Sequence, residues 1–150
     1  MSKNNISKTA GKAVSIIMII LFAAVFAASW FIGGQTKAIE KYCAAFASGD
    51  AKAMSKIIRG YDSPDEQAYK TQQREYFKAL PQFSDLEETD IISSDVDIIY
   101  HKRINGLNDW QCSAEADYFC EGMSVTEHLS FDMRFTNGKW TIINVETEIE

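Results

Sequence analysis

One acidic residue, Glu127, lies at an inward-facing strand position, where burial of a charge costs free energy. Glu127 shares the inward-facing parity of Val125, Leu129 and Phe131 in a predicted strand, so its side chain is predicted to point towards the core. A buried carboxylate is costly unless it is paired, and burial raises its pKa, which is how general bases are made. Glu127 is therefore either a general base in a pocket or a residue near the strand end that reaches solvent past the rim. We adopt the second interpretation.

Three residues on the preceding, neighbouring strand define where a pocket beside Glu127 would lie. Tyr118 is on the inward face and is the expected hydrogen-bonding companion of Glu127. Ala114 and Ala116 are on the same face and are small, so they leave room near the centre of the sheet. Glu127, Tyr118, Ala114 and Ala116 are thus the predicted ligand-pocket residues.

The remaining residue types with catalytic chemistry are poorly placed for it. His128 is on the polar face of its strand, and His101 follows Tyr100 and has the polar parity, so both are predicted to be solvated. The sequence has no nucleophile elbow, phosphate loop or dinucleotide fingerprint. We predict no catalytic residues and do not expect an enzyme.

The three cysteines, Cys43, Cys112 and Cys120, all occupy apolar positions. Cys112 and Cys120 are about 26 Å apart on one extended strand, too far for a disulfide. A bridge from Cys43 to either of them stays open, although three buried thiols are the plainer prediction. There is no Cys-x-x-Cys, no histidine pair and no glycine-centred calcium loop, so neither a metal nor a cofactor is predicted.

Three amphipathic helices are predicted to position these residues. The first ends at Gly49, and Asp50 caps the second. The third begins at Ser63-Pro64 and is ended by Pro81. The apolar positions recur at three- and four-residue spacing: Ile39, Tyr42, Cys43, Phe46, Met54, Ile57, Ile58, Tyr69, Tyr76, Phe77 and Leu80.

From about Thr89 the pattern alternates, as in strands with one buried face. Asn105-Gly106 and Asn137-Gly138 are hairpin turn signals. The inward positions are predicted to be Ile92, Val96, Ile98, Tyr100, Trp110, Cys112, Ala114, Ala116, Tyr118, Cys120, Val125, Leu129, Phe131, Met133 and Phe135. The fold class is α+β, with helices packed on one face of a curved, cone-shaped antiparallel sheet.

A membrane helix is predicted before this domain. Ala13 to Ile32 is a run of twenty residues without charge, and twenty helical residues span roughly 30 Å, the thickness of the bilayer core. Trp30 at its end suits an interfacial anchor. We predict a cytoplasmic tail over residues 1–12, a signal anchor over 13–33 and an exported domain over 34–150. Gly33-Gly34, at the end of the anchor, could let the domain pivot.

Charge sets the predicted orientation and excludes one class of partner. Lys3, Lys8 and Lys12 precede the apolar run, which favours a cytoplasmic amino terminus and a cell-membrane location with the carboxyl domain outside. A cleaved signal peptide, cut after Ser29, is the alternative. All 21 acidic and only 12 of the 15 basic residues follow the run. This acidic domain repels phosphate backbones, so no nucleic-acid partner is expected.

Two stretches resemble the nuclear-transport-factor-two-like superfamily. The segment IEKYCAAFASGDAKAMSKII, residues 39–58, resembles the opening helix, small-Gly-Asp turn and second helix of such domains, and FTNGKWTI, residues 135–142, resembles their last hairpin. The resemblance covers about Thr36 to Val145. It implies a cone-shaped fold, and the superfamily includes isomerases, dehydratases, ligand binders and structural modules.

Three functions are open. The first is a single-pass, non-catalytic binding or scaffolding module of the bacterial cell envelope, with the bilayer and other envelope proteins or itself as partners. The second is a small-molecule-binding or sensing domain that uses the cone as a pocket. The third is a pocket enzyme with Glu127 as general base.

Overall fold

The computed structural model describes residues 3–62, 64–87 and 90–148. The elements are helices α1 (Lys3–Ser48), α2 (Ala51–Ile57) and α3 (Glu66–Lys78), followed by strands β1 (Ser93–Asn105), β2 (Asp109–Cys120), β3 (Met123–Thr136) and β4 (Lys139–Glu148). A short 3₁₀ turn, Pro81–Phe83, lies between α3 and β1. The predicted α+β class is confirmed.

The chain forms two compact units, divided between Gly34 and Gln35. In the first unit, the described side chains of the apolar run are exposed apart from the half-buried Phe31, and Val25, Phe26 and Trp30 are examples of the exposed ones. The segment from Val14 is, among the described residues, the one helix that is long and apolar enough to cross a membrane. Gly33 and Gly34 have helical conformation within α1, so no break in the helix accompanies the predicted pivot.

In the second unit, capping residues set the helix limits. Asp50 caps α2 as predicted, because its carboxylate accepts a hydrogen bond of 2.9 Å from the Ala53 amide. The prediction for the start of α3 was wrong by two residues. Its cap is Asp65, which accepts from the Ala68 amide at 3.0 Å, and the helix begins at Glu66 rather than at Ser63-Pro64. Ser63 lies outside the described residues.

The sheet is a four-stranded antiparallel meander with the order β1-β2-β3-β4. Asn137 and Gly138 both have positive φ, as does the Glu121-Gly122 pair between β2 and β3. Such two-residue loops match the twist of the strands that they join. A parallel bridge from Ile58 to Ile142, with the Arg59 amide donating to the Ile142 carbonyl at 2.8 Å, covers part of the outer edge of β4.

Three isoleucines interrupt the regular pairing. Ile99 and Ile104 of β1 and Ile143 of β4 are extra residues at register shifts, and all three are exposed. A bulge reverses the parity of the residues that follow it. Tyr100 consequently pairs with Ser113 and is 43% exposed, so its predicted inward orientation is wrong.

The core of the second unit lies between the helices and the inward face of the sheet. Most of the predicted apolar positions are buried there, and the exceptions are at the rim. The fully buried large side chains include Ile39, Cys43, Phe77, Phe83, Cys112, Tyr118, Phe131, Met133 and Ile142. The helices therefore supply one wall and β2, β3 and β4 supply the other.

Candidate ligand cleft

A cleft of about 260 Å³ opens between the helices and the middle strands. Clefts of this kind, with an apolar lining and a few converging polar groups, are the usual form of small-molecule sites. Its walls are Tyr42, Phe46, Gln72, Gln73, Tyr76, Tyr118, Glu127, Leu129 and Thr147. All of these belong to the second unit.

Strand alternation places the acid in the cleft. In the register of β2 and β3, Ala116 is opposite Glu127 and Ala114 is opposite Leu129, so both members of each pair share the inward face. Glu127 is half-buried. Its side chain thus points inward as the parity predicts, and it lines the cleft, in contrast to the solvated rim position that we adopted from the sequence.

The partner of Glu127 comes from α3. The hydroxyl of Tyr76 donates a short hydrogen bond to Oε1 of Glu127. Burial raises the pKa of Glu127 above its usual value of 4.5, and the bond from Tyr76 opposes that rise. Burial, with the neighbouring carboxylate, also raises the pKa of Tyr76. Tyr76 therefore remains a neutral donor to the carboxylate.

Aromatic rings surround this hydrogen bond. Phe46 is the centre of the group, with ring centroids 5.4 Å from Tyr76, 6.0 Å from Tyr118 and 6.1 Å from Tyr42. Phe77 lies behind it at 5.6 Å. The pairs of Phe46 with Tyr76 and with Phe77 are edge-to-face and the pair with Tyr42 is stacked, and such aromatic pairs stabilise a core beyond the area that they bury. The ring positions are consequently well defined.

Tyr118 lines the cleft, but it is not the companion of Glu127 that we expected. Its hydroxyl is buried and has no hydrogen-bond partner of good geometry among the described residues. Burial raises its pKa, and the nearby thiol of Cys43 and carboxylate of Glu127 raise it further. Tyr76 takes the carboxylate because α3 reaches over the cleft, a contact that strand parity alone does not predict.

Gln73 contributes a second unpaired polar group. Its side chain is 8% exposed, and its amide oxygen has no partner among the described residues. A buried acceptor without a donor costs free energy unless a bound molecule or water satisfies it. Gln73 also lines a second, larger cleft of about 490 Å³, where Lys70, Arg74 and Asp90 are the charged residues.

Ala114 and Ala116 are fully buried and face the same side of β2 as Tyr118. Neither is among the described residues that line the cleft. The cleft opens instead beside Tyr118 and Leu129, towards α3 and Thr147. Seven wall residues were not predicted to line a pocket: Tyr42, Phe46, Gln72, Gln73 and Tyr76 from helices, and Leu129 and Thr147 from strands.

The two histidines differ. His128 lies on the outward face as predicted, with Nδ1 3.5 Å from the carboxylate of Glu115. His101 was predicted to be solvated, and this is wrong: the bulge at Ile99 turns it inward, where Nδ1 lies 3.2 Å from Sγ of Cys112. Burial lowers the pKa of His101 and raises that of the Cys112 thiol to about 12. The pair is therefore neutral, and the thiol is not activated.

Cys43, Cys112 and Cys120 are free thiols and all are buried, as the plainer prediction had it. Burial raises the pKa of Cys43 to about 12. Within the described ranges, no group of three histidine, cysteine or acidic side chains is arranged to hold a metal ion. The cleft is thus the best candidate for a functional site among the described residues.

No protein-family model matches the sequence, and no curated protein matches it. A solved structure from Silicibacter pomeroyi DSS-3, an NTF-2-like protein of unknown function, is similar with 15% identity and a TM-score of 0.48, covering 81% of this chain and 98% of that one.

Two further structures are similar in arrangement. An NTF-2-like protein of unknown function from Shewanella oneidensis MR-1 has 12% identity and a TM-score of 0.46, over 77% of this chain and 97% of that one. A de novo designed protein with a curved β-sheet has 16% identity and a TM-score of 0.37, over 75% and 97%.

Proposed function

We propose that this protein is a membrane-anchored, non-catalytic binding module of the cell envelope, and that its cleft binds a small molecule. The observation that carries the proposal is the cleft itself. A half-buried carboxylate and four aromatic rings line about 260 Å³ of accessible space. Convergence of a few polar groups on an otherwise apolar wall is typical of ligand sites.

The arrangement favours binding over catalysis. The Tyr76 hydroxyl donates to Glu127, so the carboxylate already holds a proton donor that a general base would have to give up. The three thiols are buried, and the neutral His101–Cys112 pair is not among the residues that line the cleft. If the cleft instead houses an enzyme, Glu127 is its base, and turnover of a carbonyl substrate lost in Glu127→Gln would overturn the non-catalytic proposal.

The anchor proposal rests on the first unit. Exposed apolar side chains along the helix from Val14, and the lysines before it, support a signal anchor with a cytoplasmic amino terminus. In water, so large an apolar surface would be an aggregation liability. In a bilayer it is the surface that anchors the chain.

Cysteine labelling tests the orientation. Ser2→Cys should resist a membrane-impermeant maleimide in intact cells, and Asn137→Cys, at the exposed β3–β4 turn, should react. The unmodified chain is the background control, because its three thiols are buried. The reverse labelling pattern would refute the exported placement, and intact mass lacking residues 1–29 would replace the anchor with a cleaved signal peptide.

A protein-binding role is a second candidate, favoured by three exposed apolar side chains at one edge of the sheet. Ile99, Ile104 and Leu107, on β1 and the turn after it, are 52%, 56% and 70% exposed. This surface suits self-association or contact with another envelope protein. Light scattering in detergent tests the first: wild-type dimers that become monomers in Ile104→Ser/Leu107→Ser support it, and wild-type monomers exclude self-association.

A further inference from the structure

The charge inside the cleft is of one sign. Among the nine residues that line it, Glu127 is the only one with a carboxyl group, and no lysine or arginine is among them. An anion entering this cleft would meet a carboxylate without a compensating cation. A cation would meet its natural partner.

Hydrogen-bond chemistry favours the same kind of ligand. The carboxylate of Glu127 is an acceptor, and its Oε1 already accepts from the Tyr76 hydroxyl. An ammonium or substituted amine carries donors, whereas a carboxylate or phosphate carries only acceptors. A donor-bearing ligand can therefore bond to the carboxylate oxygens, whereas an acceptor-only anion cannot.

The rings supply the third element. Tyr42, Phe46, Tyr76 and Tyr118 line the same cleft as Glu127. The negative faces of aromatic rings attract cations, and a cage of rings recognises alkylammonium groups in particular. A carboxylate among rings provides both the charge and the apolar contact that the alkyl substituents of such a group require.

We infer that the cleft binds small organic cations, with the ammonium group against Glu127 and its alkyl groups among the four rings. This inference rests on the proposed function, since it names the ligand class of that cleft. All 21 acidic residues follow the apolar run in sequence, and this negative charge also concentrates cations around the site. The volume of about 260 Å³ limits the ligand to a few alkyl groups around one nitrogen.

Calorimetric titration of the full chain tests the inference directly. The protein is kept in a maltoside detergent, because phosphocholine detergents would compete. The probes are choline and 3,3-dimethylbutan-1-ol, which has the same shape without the charge. We expect choline to bind at least roughly tenfold more tightly, because the carboxylate and the rings favour the charge.

Two substitutions identify the groups responsible. Glu127→Gln keeps the shape and should weaken choline binding roughly tenfold to hundredfold, the value of a charge-assisted contact. Glu115→Gln, the same change on the outward face, is the control and should leave binding unchanged. Tyr76→Phe keeps the ring but removes the hydroxyl that occupies Glu127, so it should bind choline at least as tightly as the wild type.

Each outcome is decisive. Equal affinity for the two probes, or unchanged choline binding in Glu127→Gln, overturns the cation proposal while the binding function stands. Loss of choline binding in Tyr76→Phe, with its thermal unfolding unchanged, assigns recognition to the hydroxyl and also overturns it. If neither probe binds and a thermal-shift screen of neutral amphiphiles is also flat, both the inference and the proposed function of the cleft fail.

Discussion

Phe22 and Phe26 in the first unit are 70% and 74% exposed, whereas Phe77 and Phe131 in the second unit have no exposed surface. The same residue type is therefore buried by protein atoms in the second unit and exposed to the surroundings in the first. In water, burial of one such side chain is worth about 2–3 kcal/mol. The second unit thus buries its apolar side chains in its own packing, whereas the first unit exposes them and, on our proposal, presents them to the bilayer.

The largest expected effect comes from placing charge in the first unit. Phe22→Arg with Phe26→Arg should oppose membrane insertion by roughly 5–7 kcal/mol, because each arginine near the centre of a spanning helix is costly. Flotation of cell membranes on a density gradient should find this variant away from the lipid fraction. Phe22→Leu with Phe26→Leu is the control, and flotation of the arginine variant with the membranes would contradict the anchor.

Truncation of a core ring comes next. Phe77→Ala should lower the free energy of unfolding of the second unit by about 3–5 kcal/mol, because it leaves a cavity among Phe46, Phe83 and Tyr118. Phe26→Ala, the matched change in the first unit, should leave that unfolding transition unchanged. Unfolding of the full chain in detergent, followed by near-ultraviolet circular dichroism, measures both. Equal losses of unfolding free energy in the two variants would contradict the distinction between the units.

Glycines sharpen the comparison at a smaller scale. Gly49 has φ of +68° and a Cβ there would lie 2.8 Å from Cα of Lys70, so Gly49→Ala should cost roughly 2–4 kcal/mol. Gly60 has φ of +73° with open space around it, so Gly60→Ala should cost only about 1 kcal/mol. In the first unit, Gly33→Ala meets no atom within 4 Å and should cost nothing. The same unfolding measurement ranks the three, and a Gly60 cost equal to that of Gly49 would exclude the close contact with α3.

The smallest expected effect is the pH dependence of Glu127. Its pKa is raised in the folded state, so the folded chain holds the proton more tightly than the unfolded chain, and stability falls as pH rises from about 4.5 through the folded pKa. Glu127→Gln keeps an oxygen for Tyr76 and removes the buried charge. The variant should be more stable than the wild type by roughly 0.5–1 kcal/mol at pH 8 and equal to it below pH 4. Urea unfolding at both pH values tests this, and a variant that is less stable at pH 8 would contradict it.

Local chemistry predicted most of the fold. The Asp50 cap, the Asn137-Gly138 turn and the alternation of Leu129, Phe131 and Met133 each depend on residues close in sequence, and each was predicted correctly. The bulge at Ile99 was not, because an extra residue leaves no mark in an alternating pattern until the partner strand is known.

The site was predicted less completely, for a different physical reason. Strand parity predicts that Glu127 faces inward, but the residue that meets it depends on how α3 lies over the sheet. Tyr76 was recognised as part of an apolar helical stripe. That spacing predicts a buried ring but not the partner to which the hydroxyl donates. A tyrosine on such a stripe, facing a strand with an inward acid, is the pattern that would have found the pair.

The meander order of the sheet has a consequence for the speed of folding. Every strand pairs with its neighbour in sequence through a short turn, so the pairings close small loops and lose little chain entropy. The sheet can extend hairpin by hairpin as β2, β3 and β4 are synthesised. The helices are synthesised first, however, and Phe46 and Phe77 can pack against Tyr118 only after β2 has been synthesised. The second half of the chain therefore controls when the first half stops exposing its apolar stripe.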